Sequence, residues 1–125
     1  MIRALGMILA LGLGLAASLL ASTALAQDGP TLTVGAVAPK TGPLAGGAAV
    51  SYWPNVRLWV ENVNARGGLM VDGAPHMLEL IEYDDQTNPG QTIQAVQRLA
   101  TQDEADFILA PYSTGRNIAS APIFD

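Results

Sequence analysis

The stretch HMLELIEYDDQTNPGQTIQAVQRLATQDEADFILAPYSTG, residues 76–115, predicts a strand, a helix and a second strand in succession. Residues 76–83 are mostly apolar and end in a polar loop, as a strand does, and the apolar run at residues 106–110 is typical of a buried parallel strand. Between them, Asn88 and Pro89 predict a helix start, because asparagine is a favourable cap and proline fits the first helical position. One apolar face runs along this helix: Ile93, Val96, Leu99 and Ala100.

The same alternation continues on both sides of this stretch. Residues 31–38 are apolar and β-branched and predict a strand covered on both faces, with a loop after it at residues 39–47. A helix is predicted from about Ser51 to the glycine pair at residues 67–68, and a third helix from Arg116 onward. The first of these helices carries an apolar stripe: Val56, Trp59, Val60 and Val63.

Apart from a tight turn predicted at residues 72–73, the chain alternates strand and helix. This alternation predicts an α/β fold in which right-handed crossovers join parallel strands, as in half of a doubly wound, Rossmann-like sheet. Ligands of such sheets bind outside the carboxyl ends of the strands. Those ends carry the loops at residues 39–47, 84–88 and 110–115, which are therefore the candidate binding loops.

The composition excludes several classes of protein. The 125-residue chain has no cysteine, which excludes a disulfide scaffold, a cysteine-ligated zinc site and a thiol nucleophile. Its 6 basic and 11 acidic side chains give a formal net charge of −5. This balance argues against a nucleic-acid partner, because such a protein needs a basic surface to neutralise phosphates.

Residues 1–26 have the pattern of a secretory signal. Arg3 gives the positive start, residues 5–20 are an apolar run, and an Ala-Leu-Ala sequence ends at Ala26. The alternative is a retained anchor, because the run approaches the roughly 20 residues that span a bilayer. Glycines in the run and the Ala-Leu-Ala ending favour cleavage after Ala26. We therefore expect residues 27–125 to be exported to the periplasm.

Four short motifs lie at the ends of the predicted elements. They are TGPL at residues 41–44, WVENVNARGGL at residues 59–69, YDDQTNP at residues 83–89 and PYSTG at residues 111–115. In order and spacing they resemble the N-terminal lobe of periplasmic substrate-binding proteins of the branched-chain amino acid type, the receptors of ABC importers. The resemblance covers essentially all of residues 31–125 and is specific for the superfamily, although not for the ligand.

The resemblance implies a type 1 periplasmic-binding fold, in which two α/β lobes close over a ligand about a hinge. Complete members are roughly three times as long as this chain, so we expect residues 27–125 to be the N-terminal part of lobe one. The implied function is capture of an amino acid, or a related small carboxylate or amide, for an ABC permease in the membrane, without catalysis, metal or cofactor. The alternative is a ligand sensor of the same fold that acts in signalling rather than in transport.

The predicted ligand-binding residues lie in the first and third loops. Ser113 and Thr114 precede the third helix, and by resemblance they match positions whose hydroxyl and backbone groups hold the α-carboxylate of an amino acid. The alternative is that one of them only caps the helix. Tyr112 would line the pocket or belong to the core. Thr41 and Gly42 would border the ligand or form an ordinary turn.

Five further residues have a structural and a functional interpretation. Many members of the resembled family carry an aromatic side chain shortly after the TGP motif, where it covers the ligand. Gly46 and Gly47 occupy that region here, which predicts room for a bulkier or different ligand. Asp84 and Asp85 are a weak signal for a metal, and the resemblance assigns them to a turn instead. Arg116 would pair with an acidic ligand group or be solvated, and solvation is favoured.

An enzyme is disfavoured. A hydrolase would use Ser113 or Asp84, but the only histidine, His76, is predicted at a strand start far from Ser113, so no serine–histidine–acid arrangement can be assembled from this chain. The two tryptophans are interpreted as structural, with Trp53 covering the start of a helix and Trp59 in the core.

Overall fold

The computed structural model of the chain describes residues 30–124. The predicted signal and its cleavage point after Ala26 lie outside these residues. The described part contains the following elements in chain order: β1 (Thr31–Ala38), α1 (Ala45–Ser51), α2 (Trp53–Ala65), β2 (Leu69–Val71), β3 (Ala74–Asp84), α3 (Pro89–Thr101), β4 (Phe107–Ile108), α4 (Thr114–Ser120) and a 3-10 turn (Ala121–Ile123). Within this part no helix has the length and apolarity that crossing a bilayer requires.

The strands form one sheet in the order β2-β3-β1-β4. β1 runs parallel to β3 from Thr31 opposite Met77 to Ala38 opposite Asp84, and β1 also runs parallel to β4 on its other side. The chain therefore moves from β1 to β3 on one side and returns past β1 to β4, which makes β1 the switch point of the sheet. The predicted α/β fold is confirmed, with β1, β3 and β4 forming the parallel, doubly wound part of the sheet.

Helices cover both faces of β1. On one face, Val60 and Val63 of α2 pack against Val34 and Leu78 in a buried cluster. On the other face, α3 packs onto the sheet, and its buried face includes Val96 and Leu99. Because alternate residues of a strand point to opposite faces, the covering of both faces buries the whole second half of β1.

One strand was not predicted. β2 pairs antiparallel with β3, with Leu69 opposite His76, so the sheet is not purely parallel as the sequence suggested. The predicted tight turn lies between these two strands, at Asp72 (φ 50°) and Gly73 (φ 81°). Two successive positive φ values are the geometry of a two-residue hairpin turn, which is what makes this pairing possible.

The helical region begins earlier than predicted. α1 occupies Ala45–Ser51, although residues 39–47, which contain the TGP motif, were expected to be a loop. Ala48 is fully buried in the cluster with Trp53, so packing of this helix overrides its weak helical propensity. Tyr52 separates α1 from α2, and Pro54 lies in the first turn of α2, where proline is tolerated.

The expectation for Trp59 differs from the structure, whereas Trp53 lies at the start of α2 as expected. Trp53 is 4% exposed and its Nε1 donates to the Pro39 carbonyl at 3.4 Å, whereas Trp59 is 40% exposed. The inward positions of α2 follow Trp53 at helical spacing through Val60 and Val63. Around the helix Trp59 is about 100° from Val60 but only about 40° from Val63, so it lies just outside the buried stripe. The prediction that Trp59 belongs to the core is wrong.

Candidate functional site

Three loops meet at the carboxyl ends of the parallel strands, an edge of the sheet that we call the carboxyl edge. Residues 39–44 follow β1, residues 84–88 follow β3, and residues 109–113 follow β4. The register that pairs Ala38 with Asp84 places the first two loops side by side. The third loop joins them through the Tyr112 amide, which donates to the carbonyl of Val37 at 3.2 Å. The sequence prediction that these loops come together is correct.

Asp84 binds the first loop to the second. Its Oδ1 accepts hydrogen bonds from the amides of Lys40 (2.8 Å), Gln86 (2.8 Å) and Thr41 (3.3 Å), and its Oδ2 accepts from the Thr41 hydroxyl at 2.7 Å. Although burial opposes it, this set of donors lowers the pKa of Asp84 below its ordinary value. The carboxylate is thus used within the turn, and the Thr41 hydroxyl hydrogen is directed to it.

Gly42 lies where the two loops touch. Its φ is 86°, and a Cβ built on it would lie 2.7 Å from the Gln86 carbonyl oxygen and 2.8 Å from Thr87 Oγ1. Thr87 fastens the same contact, because its hydroxyl donates to the Thr41 carbonyl at 3.2 Å and accepts from the Leu44 amide at 3.2 Å. Glycine is therefore required here both for the backbone conformation and for the close approach.

Asp85 is the second acid of the doublet and is fully buried. It accepts from the Thr87 amide at 2.9 Å and from the Thr92 hydroxyl at 2.8 Å. Arg116 Nε lies 2.9 Å from its Oδ2, and the N–H bond is not aligned with that oxygen, so the contact is an ion pair rather than a hydrogen bond. The charge of Asp85 is compensated from another element of the chain, as a buried carboxylate requires.

Arg116 is 7% exposed, so the expectation that it is solvated is wrong. α4 packs against α3, which brings the guanidinium beside Asp85. The sequence contained one signal of this arrangement, namely an acidic doublet directly after a buried strand. Sequence reasoning did not connect the two residues, because nothing local indicates that α4 returns to this turn.

Ser113 has an unusual backbone conformation, with φ 92° and ψ 149°. It lies at the N-cap position of α4, but its side chain makes no capping hydrogen bond. Its Oγ instead accepts a hydrogen bond from Arg116 Nη1 at 3.0 Å. Thr114, the first residue of α4, is exposed at the same end. The capping role that was the alternative for Ser113 is therefore not what its side chain does.

Two tyrosines form an aromatic pair beside these residues. The ring centroids of Tyr52 and Tyr112 are 5.9 Å apart with the planes at 74°, an edge-to-face contact. The Tyr52 hydroxyl donates to the Ala110 carbonyl at 3.1 Å, and burial raises the pKa of Tyr52 to about 12. Tyr112 is half-buried, and its hydroxyl oxygen would lie 2.6 Å from a Cβ built on Gly47. Part of the room predicted beside Gly47 is thus filled by Tyr112.

Other candidate groups lie away from this edge or are already engaged. Within residues 30–124 no set of three or more acidic or histidine side chains is grouped as a metal site would be. His76 is near the start of β3, with Nδ1 3.0 Å from the Ala74 carbonyl, at the opposite end of the sheet from Ser113. A groove of about 190 Å³ lies between the end of β3 and α3. None of the residues predicted to bind ligand lines this groove. Its lining consists of Tyr83, Asp84, Gln91, Gln94, Ala95 and Arg98.

A family model described as a periplasmic binding protein matches residues 31–125. The chain belongs to this family. The resemblance drawn from the four motifs is confirmed, and so is the implied fold, a partial lobe of a type 1 periplasmic-binding fold.

Individual relatives support the same conclusion. An amino acid binding protein of Pseudomonas aeruginosa is 27% identical over 94 residues, which are 75% of this chain and 24% of that protein. The branched-chain amino acid transporter substrate-binding protein LivJ of Streptococcus pneumoniae, solved with isoleucine, has a TM-score of 0.63 and 24% identity over 74% of this chain and 25% of its own. A possible leucine/isoleucine/valine-binding protein of Rhodopirellula baltica has a TM-score of 0.60 and 24% identity over 77% of this chain and 25% of its own.

The two solved structures have low sequence identity to this chain, so their similarity shows the fold alone. The chain spans about a quarter of the length of these relatives. The chain, including the loops at its carboxyl edge, therefore matches only one part of each of those longer proteins.

Proposed function

We propose that this chain belongs to an exported receptor that captures an amino acid, or a related small carboxylate or amide, and delivers it to an ABC permease in the membrane. Membership of the periplasmic binding protein family supports the receptor role. Relatives described as amino acid binding proteins, one of them solved with isoleucine, support the class of ligand.

The observation that carries the proposal is the state of Ser113 at the carboxyl edge. Its hydroxyl is half-buried, does not cap α4 and is held by a neighbouring side chain next to the exposed Thr114. A carboxylate accepts hydrogen bonds only, so two adjacent hydroxyls are suitable partners for it. α4 has only seven residues, and the proposal therefore rests on these hydroxyls rather than on the helix dipole.

Tyr112, Thr41 and Gly42 would border the ligand. Tyr112 contributes a half-buried ring beside Ser113, while Thr41 and Gly42 form the neighbouring loop. The hydrogen of the Thr41 hydroxyl is donated to Asp84, so Thr41 would offer a ligand only an acceptor oxygen. A second lobe would close over this edge about a hinge and complete the pocket.

No catalytic step is part of the proposal. The two acids at the carboxyl edge are held in structural contacts, with Asp84 in the turn and Asp85 paired with Arg116. The histidine is at the other end of β3. The proposal also includes export to the periplasm with cleavage of the signal after Ala26.

Calorimetry on the protein purified from the periplasm tests this function. We expect at least one of the common amino acids, with L-isoleucine as the first probe, to bind, and the corresponding amide, which lacks the carboxylate charge, to bind much more weakly. Replacement of Ser113 and Thr114 by Ala should weaken binding about tenfold or more, the contribution of hydrogen bonds to an ion.

Thr101→Ala is a matched control. Thr101 is exposed on α3 and its hydroxyl only donates to the Gln97 carbonyl of the same helix, so its removal should leave binding unchanged. Absence of binding by every amino acid and by the small carboxylates and amides related to them would refute the proposed function. Unchanged affinity in the Ser113 and Thr114 double variant would refute the carboxylate assignment.

A further inference from the structure

We propose that Arg116 is a positioning residue, which holds the Ser113 hydroxyl so that its hydrogen is available to the ligand carboxylate. This inference rests on the function proposed above and adds to it a residue that the carboxylate assignment did not include. It is carried by a chain of contacts from α3 through Asp85 and Arg116 to Ser113.

The first step concerns the direction of the hydrogen bond. A guanidinium group has donors and no acceptor, so Arg116 Nη1 must donate to Ser113 Oγ. One lone pair of that oxygen is thereby used, and the hydroxyl hydrogen cannot point back to Arg116. Among residues 30–124 no group accepts a hydrogen bond from this hydroxyl. A carboxylate placed beside Ser113 would supply the acceptor that the protein does not.

The second step is the rigidity of the guanidinium. Arg116 is 7% exposed and Asp85 is fully buried, so neither side chain samples solvent freely. Asp85 is fixed in turn by the Thr92 hydroxyl at 2.8 Å and the Thr87 amide at 2.9 Å. Arg116 thus presents Nη1 from a defined position. Because its charge is paired with that of Asp85, its effect on a ligand is expected to pass through Ser113 rather than through simple attraction.

The third step is the backbone of Ser113. A φ of 92° is an unfavourable conformation for a residue with a side chain, and it persists only where neighbouring contacts impose it. The hydrogen bond from Arg116, three residues later on α4, is such a contact. Without it, Ser113 would relax toward the extended conformation of an ordinary N-cap, and its hydroxyl would turn to the free amides of α4.

Arg116→Lys is the variant that tests this role. Lysine keeps a positive charge facing Asp85, but a single ammonium group does not reproduce the two separate contacts that Nε and Nη1 make with Asp85 and Ser113. We expect L-isoleucine to bind about tenfold more weakly, the same loss that we expect for Ser113→Ala. The variant that combines Arg116→Lys with Ser113→Ala should lose no more affinity for isoleucine than Ser113→Ala alone, because Arg116 acts through that hydroxyl.

Arg98→Lys is the matched control, since Arg98 is exposed on α3 and its Nε is 3.8 Å from Asp103. It should bind isoleucine normally. Thermal unfolding verifies that each variant is folded. If Arg116→Lys does not fold, a variant that combines Asp85→Asn with Arg116→Gln replaces it, because that pair of changes removes both charges together. Its isoleucine affinity is then compared with that of Ser113→Ala.

The outcomes separate this inference from the function on which it rests. If Ser113→Ala leaves isoleucine binding intact, the carboxylate assignment fails. If Ser113→Ala weakens binding and Arg116→Lys does not, only the positioning role fails. A double variant that binds more weakly than Ser113→Ala would also overturn it, because Arg116 would then contact the ligand itself or act only on stability.

Discussion

Gly47→Ala places a methyl group where the Tyr112 hydroxyl now lies. The added Cβ would be 2.6 Å from Tyr112 Oη and 3.5 Å from Cζ, so the hydroxyl must move while the ring carbon would be in ordinary contact. Gly46→Ala is a matched control one residue earlier in α1, because a Cβ there meets nothing within 4 Å. The two variants make the same chemical change in the same helix and differ in this contact.

The size of the effect follows from two opposing contributions. Alanine is more favourable than glycine in a helix by about 0.5–1 kcal/mol, and we expect Gly46→Ala to raise the free energy of unfolding by up to that amount. Overpacking costs about 1–3 kcal/mol, and Gly47→Ala should lie near the lower end, because Tyr112 can rotate at the loss of its edge contact with Tyr52. The two variants should therefore differ by about 1–2 kcal/mol.

Urea unfolding followed by the fluorescence of the buried Trp53 measures this difference. Tyr112→Phe removes the oxygen that clashes, so in that background Gly47→Ala and Gly46→Ala should become nearly equal in stability. If Gly47→Ala proves as stable as Gly46→Ala with Tyr112 present, or if Tyr112→Phe gives no rescue, the close approach of these residues is not what limits the site.

Two further predictions concern the scaffold around the site. The hydrogen bond from Arg57 lowers the pKa of Glu82 to about 2 from an ordinary 4.5. The stability that this pair contributes should be complete above pH 4.5 and lost as the pH falls toward 2. Urea unfolding should therefore show Glu82→Gln about 1–2 kcal/mol less stable than wild type at pH 7, and this difference should disappear in acid. A difference independent of pH would count against the pairing. Gly42→Ala should cost more than Gly73→Ala, because both have positive φ but only Gly42 approaches another backbone, at the Gln86 carbonyl; equal losses in urea unfolding would exclude the crowding.

Much of the fold could be predicted because its signals are local. β1 was predicted with its observed bounds, and the Asn88 side chain caps α3 by accepting from the amides of Gly90 and Gln91. α1 and β2 were missed for a common reason. α1 is stabilised by the burial of Ala48, and the three-residue β2 exists through its pairing with β3, so neither is encoded in its own residues.

The candidate site likewise has one part with local sequence signals and another that depends on tertiary packing. The position of the three loops follows from the topology of a parallel sheet, and that much was predictable. The burial of Asp85 and Arg116 depends on how α4 packs against α3, which no local pattern describes. The filling of space beside Gly47 by Tyr112 likewise joins residues that are distant in the chain.

The small residues of β1 also limit how this protein can diversify. Ala36 and Ala38 have no exposed surface, and a Cβ on Gly35 would lie 2.6 Å from a methyl group of Leu99. Enlarging any of the three would push a helix away from the sheet and alter the whole lobe. New ligand preferences would therefore have to arise in the loops, whose residues can be exchanged without rebuilding the layers beneath them.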